Sequence, residues 1–283
     1  MESFRKKCYS KIWCFTHTFE GTEQLREVTG MDAYTGFASV YDRFMEDVPY
    51  EHWRDVILHE LKAASVRDGL LLDLGCGTGT LTRMLASEGY DMIGVDRSQE
   101  MLTEAREKTA DADILYLCQD MRAFELYGTV RAVISTCDTM NYLLTPEDFI
   151  QTVRLVNNYL DPGGLFIFDL NTLYKFRELM GNTTIAESGE EASFIWDNFF
   201  DEETGRNEYD LTLFLKQENG LFERQVEVHE EQGYALEDVK GFLETGGMEF
   251  VRVFDADTGG EPQDTSEKVF FIAREKGKQG AVE

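Results

Sequence analysis

Leu71-Leu72-Asp73-Leu74-Gly75-Cys76-Gly77-Thr78-Gly79 is the stretch that decides the fold of this chain. An apolar run ends in three glycines at spacing two, and a helical pattern from Leu81 to Ala86 follows at once. Glycines let a backbone pass close to a ligand where a Cβ would clash. The start of the next helix aims unpaired N–H groups and the positive end of its dipole at a polar or anionic group. Strand, glycine loop and helix together predict half of a nucleotide-binding βαβ unit.

The spacing narrows the ligand. Dinucleotide folds use G-x-G-x-x-G, whereas Gly75, Gly77 and Gly79 read G-x-G-x-G, with Thr80 next. Asp73 stands two positions before the first glycine, and a second apolar run, Met92-Ile93-Gly94-Val95, ends in Asp96, 21 residues beyond Gly75. A carboxylate at the tip of a second strand can accept hydrogen bonds from both hydroxyls of a ribose. In these residues the chain resembles the class I S-adenosylmethionine-dependent methyltransferases. Asp73 to Gly79 resembles that family's first motif and Val95-Asp96 its second. Cys118-Gln119-Asp120-Met121, after the apolar run Ile114–Leu117, resembles the third, whose acidic residue and its neighbour hold the adenine. Ser135-Thr136-Cys137-Asp138 closes the strand Val130–Ile134 at the place of the fourth, and Leu160-Asp161-Pro162-Gly163-Gly164 resembles the turn before strand five.

The resemblance implies a doubly wound, mostly parallel seven-stranded α/β sheet that binds S-adenosylmethionine. It carries the cofactor onto Asp73, Gly75, Cys76, Gly77 and Gly79 in the loop, onto Asp96, Arg97 and Met101 after the second strand, and onto Asp120, Met121 and Cys137. Tyr34-x-x-Phe37-Ala38-x-x-Tyr41-Asp42 resembles the opening segment of small-molecule methyltransferases, and by that resemblance Tyr34 and Tyr41 contact the methionine part or the sulfonium. Phe37 and Tyr41 read equally as ordinary helix packing.

Composition sets the outer limits. With 283 residues, 42% of them hydrophobic, and four prolines, the chain is long and apolar enough for one core with embellishments. Its formal charge of −27 repels phosphate backbones and anionic membranes, so the expected partner is a small-molecule substrate, with neither nucleic acid nor membrane. The five cysteines, Cys8, Cys14, Cys76, Cys118 and Cys137, form no C-x-x-C pair and no zinc spacing, which points to reduced thiols, a cytoplasmic protein and no metal. No run approaches the length of a membrane span.

Along the chain, residues 1–30 lack a clear period and read as an N-terminal extension, with the domain expected to begin near Met31. From Tyr50, Trp53, Ile57 and Leu61 fall on one helical face. Ser98 and Thr145-Pro146 are helix-start signals. After Leu170 the pattern changes to antiparallel strands. Tyr209, Leu211, Leu213 and Leu215 alternate with polar residues, Asn219-Gly220 predicts a tight hairpin turn, and Ala192 to Phe200 predicts an earlier strand. The expected organisation is a core of residues 31–180 and 234–276, an inserted antiparallel β lid at 181–233, and a tail at 277–283.

The acceptor side is less defined. Strand alternation puts Glu223, Gln225, Glu227 and His229 on one face. If that face looks toward the cofactor, His229 is a candidate base; if it looks outward, these residues are a solvated surface. This segment resembles the closing strand of the insert in amino-sugar N-methyltransferases. Asn141-Tyr142 follows the fourth strand, where enzymes that methylate nucleic-acid amino groups carry Asn/Asp-Pro-Pro-Tyr. The prolines are missing here, and Tyr142 either lines the acceptor pocket or simply packs at a helix start. The expected activity is methyl transfer to an amine or hydroxyl of a small molecule. A nucleic-acid methyltransferase and a non-catalytic S-adenosylmethionine-binding protein are the alternatives.

Overall fold

The computed structural model describes residues 41, 42, 45, 48–109 and 113–278. The extension at 1–30, Tyr34 and Phe37 lie outside them. Helix α1, Tyr50–Ala63, leads into strand β1, Leu70–Leu74. Then α2, Thr80–Ser87, β2, Asp91–Asp96, α3, Gln99–Lys108, and β3, Ile114–Cys118, follow in alternation. Next come β4, Val130–Ser135, a single 3-10 turn at Thr139–Tyr142, α4, Pro146–Tyr159, and β5, Leu160–Asn171. The chain then builds β6, Thr184–Ser188, β7, Ala192–Asp201, β8, Arg206–Lys216, and β9, Phe222–Gln232. It closes with α5, Leu236–Thr245, β10, Met248–Asp255, and β11, Lys268–Glu275.

Seven strands form one sheet in the order β10-β11-β5-β4-β1-β2-β3. The five strands from β5 to β3 pair in parallel, and β11 and β10 are antiparallel. Both faces are buried, as a parallel sheet requires. Because strand side chains alternate, Leu72, Val133, Phe166 and Phe168 enter one apolar cluster while Leu71, Ile134 and Ile167 enter the other. Phe168 stacks on Phe166 at 4.6 Å and on Phe271 at 5.2 Å, and meets the edge of Phe149 from α4. The helix-start signals act as expected: Ser98 Oγ accepts from Met101 N and Thr145 Oγ1 from Asp148 N, both at 3.1 Å.

The remaining four strands form a separate antiparallel sheet, β6-β7-β8-β9, inserted between β5 and α5. Its inner face carries a small cluster of Tyr209, Leu211 and Leu213 with Phe194 and Trp196. Two features depart from the sequence expectation. β6 has no alternation to betray it, since all five of its residues are exposed on an edge strand. Pro162-Gly163-Gly164, expected as a turn, is instead the irregular first part of β5, and the pairing with β4 slips between Val130 and Ala132.

One buried polar contact ties the first helix of the cofactor unit to the sheet. Thr82 Oγ1 donates to Asp73 Oδ2 at 2.5 Å, and both side chains are buried. Desolvation pushes the Asp73 carboxyl up to about 7, against the pull of the Thr82 hydrogen bond. A carboxyl whose folded pKa lies above its unfolded value contributes stability at low pH that is lost as pH rises from about 4 toward 7. Asp73→Asn should keep a partner for Thr82 and remove this loss. Urea denaturation at pH 5 and pH 8 should therefore show the variant gaining stability relative to the wild type at the higher pH. Phe168→Ala should cost about 3–5 kcal/mol in the same assay, because it empties the centre of an aromatic stack.

Candidate active site

A cleft of about 730 Å³ opens beyond the carboxyl ends of the parallel strands, where β1 has β2 on one side and β4 on the other. This is where open α/β sheets bind ligands, because the chain leaves adjacent strands in opposite directions. Of the residues expected to bind the cofactor, Tyr41, Asp73, Gly75, Cys76, Gly77, Asp96, Arg97, Met101, Asp120, Met121 and Cys137 line it. Gly79 lies one turn deeper, as the αL residue that starts α2, where an added Cβ would meet the Tyr116 hydroxyl at 2.5 Å.

The loop is built from two different glycine requirements. At Gly75, φ is +79° and a Cβ would collide with Thr139 Cγ2 at 2.2 Å, so this glycine serves packing against the turn after β4. At Gly77, φ is +52° and a Cβ would meet nothing within 4 Å, so this glycine keeps space in the cleft open. Asp96 is locked opposite: its carboxylate accepts from Gly77 N and Ser98 N, each at 2.8 Å. Burial pushes that carboxyl up, and the backbone N–H groups of Ser98 and Gly77 pull it back. A carboxylate can accept about four hydrogen bonds, so two backbone donors leave it acceptor capacity.

Asp120 is held differently. Arg122 grips its carboxylate from Nε at 2.9 Å and Nη2 at 2.6 Å, and also reaches Asp148 at 3.4 Å. This guanidinium holds the Asp120 carboxyl below the usual range. Two thiols, Cys76 and Cys137, line the cleft. Desolvation pushes both Cys76 and Cys137 well up from their ordinary value, which disfavours the nucleophilic thiolate.

The opposite wall is formed by Tyr142–Leu144 and by the lid strand β9 at Val228–Glu230. The structure brings the two acceptor-side candidates together. Tyr142 Oη lies 3.0 Å from His229 Nδ1 and 2.9 Å from Tyr209 Oη, and His229 Nε2 lies 3.2 Å from Glu227 Oε2. His229 stacks on Tyr209, its direct cross-strand partner, at 4.7 Å, and Tyr209 stacks on Trp196 at 4.0 Å. The strand face carrying Glu227 and His229 is therefore buried, with His229 2% and Glu227 1% exposed, while Glu223 farther along the same face is exposed.

Asn141 has a role that the sequence did not reveal. It is fully buried, donates to the backbone oxygens of Asn171 and Gln232, and accepts from Asn171 N, so it pins the end of β5 to the end of β9. Beside it, Cys137 and Asp138 both take positive φ, and their N–H groups donate to the two oxygens of Asp169, at 3.2 and 2.8 Å. Lys268 completes the cluster at 2.9 Å from Asp138 and 3.0 Å from Asp169. Only long-range pairing brings Asp169 and Lys268 to the Cys137-Asp138 segment.

Among the described residues, no three His, Cys, Asp or Glu side chains are grouped to hold a metal ion, and no helix is long and apolar enough to cross a membrane.

Comparison with known proteins agrees with this geometry. Residues 71–164 match the methyltransferase domain family. The chain is 36% identical over 244 residues to the Bacillus subtilis (strain 168) methyltransferase-family protein YqeM, covering 85% of this chain and 96% of that protein. The crystal structure of an S-adenosylmethionine-dependent methyltransferase from Clostridium acetobutylicum superposes with a TM-score of 0.78 at 29% identity, covering 87% of this chain and all of that one. A Streptomyces venezuelae N,N-dimethyltransferase of a dTDP-linked amino sugar is 32% identical over 134 residues, covering 47% of this chain and 56% of that enzyme. By fold, cleft architecture and relatives alike, the chain belongs to the class I S-adenosylmethionine-dependent methyltransferases.

Proposed function

We propose that the cleft binds S-adenosylmethionine along the glycine loop and transfers its methyl group to an amine or hydroxyl of a small molecule. The observation that carries this reading is the pairing of Gly77 with Asp96. A cradle that a Cβ would fill lies beside a carboxylate fixed at the tip of β2, as a ribose bound along the loop requires. Met101 and Met121 supply apolar surface for an adenine ring, and Asp120 with its bound Arg122 forms the polar edge of that pocket. Tyr41, on the cleft wall, offers an aromatic face to a sulfonium, an attraction worth about 0.5–2 kcal/mol.

Bound S-adenosylmethionine supplies an electrophilic methyl group, so the protein has to align the acceptor in line with it and exclude water. The lid strand β9 is the element suited to that task, since it closes the cleft opposite the loop. The charge of −27 argues for a small molecule over nucleic acid or a membrane surface as the partner. The thiols Cys76, Cys118 and Cys137 are all free, which suits a reducing cytoplasm.

Calorimetry with S-adenosylmethionine and S-adenosylhomocysteine tests the cofactor. Saturable binding is expected, and its absence in the folded protein overturns the reading. Gly77→Val should weaken that binding at least tenfold, about 1.4 kcal/mol or more, with the circular dichroism spectrum retained. An acceptor panel read by S-adenosylhomocysteine release should respond to amines or alcohols. Labelled methyl transfer to total RNA in place of the panel would instead favour a nucleic-acid substrate.

A further inference from the structure

We propose that Tyr142, backed by His229 and Glu227, takes up the proton that the methyl acceptor must lose. This rests on reading the cleft as a methyl-transfer site and adds a proton path to it.

The hydrogen-bond chemistry gives the chain a direction. An ionised carboxylate only accepts, so Glu227 Oε2, 3.2 Å from His229 Nε2, requires the proton of a neutral imidazole to sit on Nε2. His229 Nδ1 is then an acceptor, and the Tyr142 hydroxyl at 3.0 Å donates to it. Tyr209, 2.9 Å from the same hydroxyl oxygen and stacked on the imidazole ring, fixes both partners. The proton path thus runs from Tyr142 on the cleft wall inward to a histidine whose second nitrogen faces a carboxylate.

Burial makes this arrangement hard to explain as a passive surface. His229 and Glu227 are 2% and 1% exposed, and taking such groups out of water is costly unless they are paired. An apolar pair in their place would be buried at lower cost, as Leu211 and Leu213 are in the same sheet.

A hydroxyl has to shed a proton as its lone pair bonds to the methyl carbon, and a protonated amine has to shed one first to free the lone pair that attacks. As that bond forms, the methyl–sulfur bond breaks and its electron pair stays on sulfur. The acceptor's proton passes to Tyr142 Oη while the phenolic proton passes to His229 Nδ1, leaving an imidazolium that Glu227 stabilises. A free phenol, with an ordinary pKa near 10, is a poor proton acceptor at neutral pH, and a concerted transfer to imidazole removes that obstacle. Tyr142 is the group that touches the acceptor; His229 and Glu227 act through it.

The test uses full-length protein labelled with 15N-histidine and saturated with S-adenosylhomocysteine. His229 is one of four histidines, and its resonances are assigned by their loss in His229→Gln. The neutral Nε2–H tautomer is expected; it should persist in Tyr142→Phe, where the Nδ1 resonance moves because it loses its hydrogen bond. An Nδ1–H tautomer, or an Nδ1 resonance indifferent to Tyr142→Phe, overturns the proposal. With an acceptor from the panel above, Tyr142→Phe and His229→Gln should lower kcat by about 10²–10⁴ while still binding S-adenosylhomocysteine. Glu227→Gln keeps the orientation without the charge, so it should move the acid limb of the pH–rate profile and retain part of the turnover. Unchanged kcat in both Tyr142→Phe and His229→Gln overturns the relay. Absence of S-adenosylhomocysteine binding by the wild type is a different result, and it overturns the methyltransferase reading itself.

Discussion

Much of this structure depends on one buried carboxylate. Asp169, near the end of β5, takes the backbone N–H groups of Cys137 and Asp138 on its two oxygens and holds the Lys268 ammonium of β11. Both donors have positive φ, a conformation that costs roughly 1–2 kcal/mol per non-glycine residue when nothing compensates. Asp169 supplies that compensation, and in doing so sets the direction of the chain as it leaves β4. Thr139 then packs where a Cβ on Gly75 would be, and Tyr142 comes to face the cleft. The glycine loop and the Tyr142 wall are thus positioned from one point, although they lie on opposite sides of the cleft.

The cluster also reaches the lid. Burial pushes the Glu231 carboxyl, at the end of β9, well above its usual range, and the nearby Asp138 charge adds to that shift. The Glu231 side chain faces Asp138 across the cluster. Burial disfavours the Asp138 carboxylate as well, but Lys268 and Lys175 outweigh it and hold that carboxyl down. For Lys268, burial works against the ammonium, and Asp138 and Asp169 overcome it and draw its pKa up. These carboxyls and two lysines thus join the turn after β4 to β5, β9 and β11, and removing one partner of such a group leaves a buried charge uncompensated, commonly at a cost of about 3–5 kcal/mol. Asn141 adds three backbone hydrogen bonds at the same junction. The lid is anchored at its base, and its far hairpin, turning at Gly220, is exposed.

The glycine-loop side of the cleft was legible in the sequence because its geometry is local. Gly75, Gly77 and Gly79 lie within five residues, Asp96 ends the next strand, and the order of elements fixes where each strand tip falls. The opposite side depends on which residues meet across strands, and a one-residue shift in register turns a strand's buried face outward. Alternation grouped Glu227 with His229 correctly, yet it left open whether that face meets the cleft or the solvent. Pairing with β8 decides this, because it sets Tyr209 opposite His229 and Trp196 beside Tyr209. The Asp138–Asp169–Lys268 cluster spans 130 residues of sequence and was equally invisible. β6, exposed along its whole length, carries no periodic signal at all.

The family match reaches only part of the cleft. The match to the methyltransferase domain stops at residue 164, before the lid begins, so it covers the glycine loop and the strand tips but none of β6 to β9. The glycine loop lies at the edge of a close-packed sheet, where a change disturbs the core through contacts such as Gly75 against Thr139. The opposite wall combines Tyr142–Leu144 with Val228–Glu230 of β9, whose end Asn141 pins to β5. The buried His229–Glu227 pair therefore stands on a part of the structure that the family match does not reach.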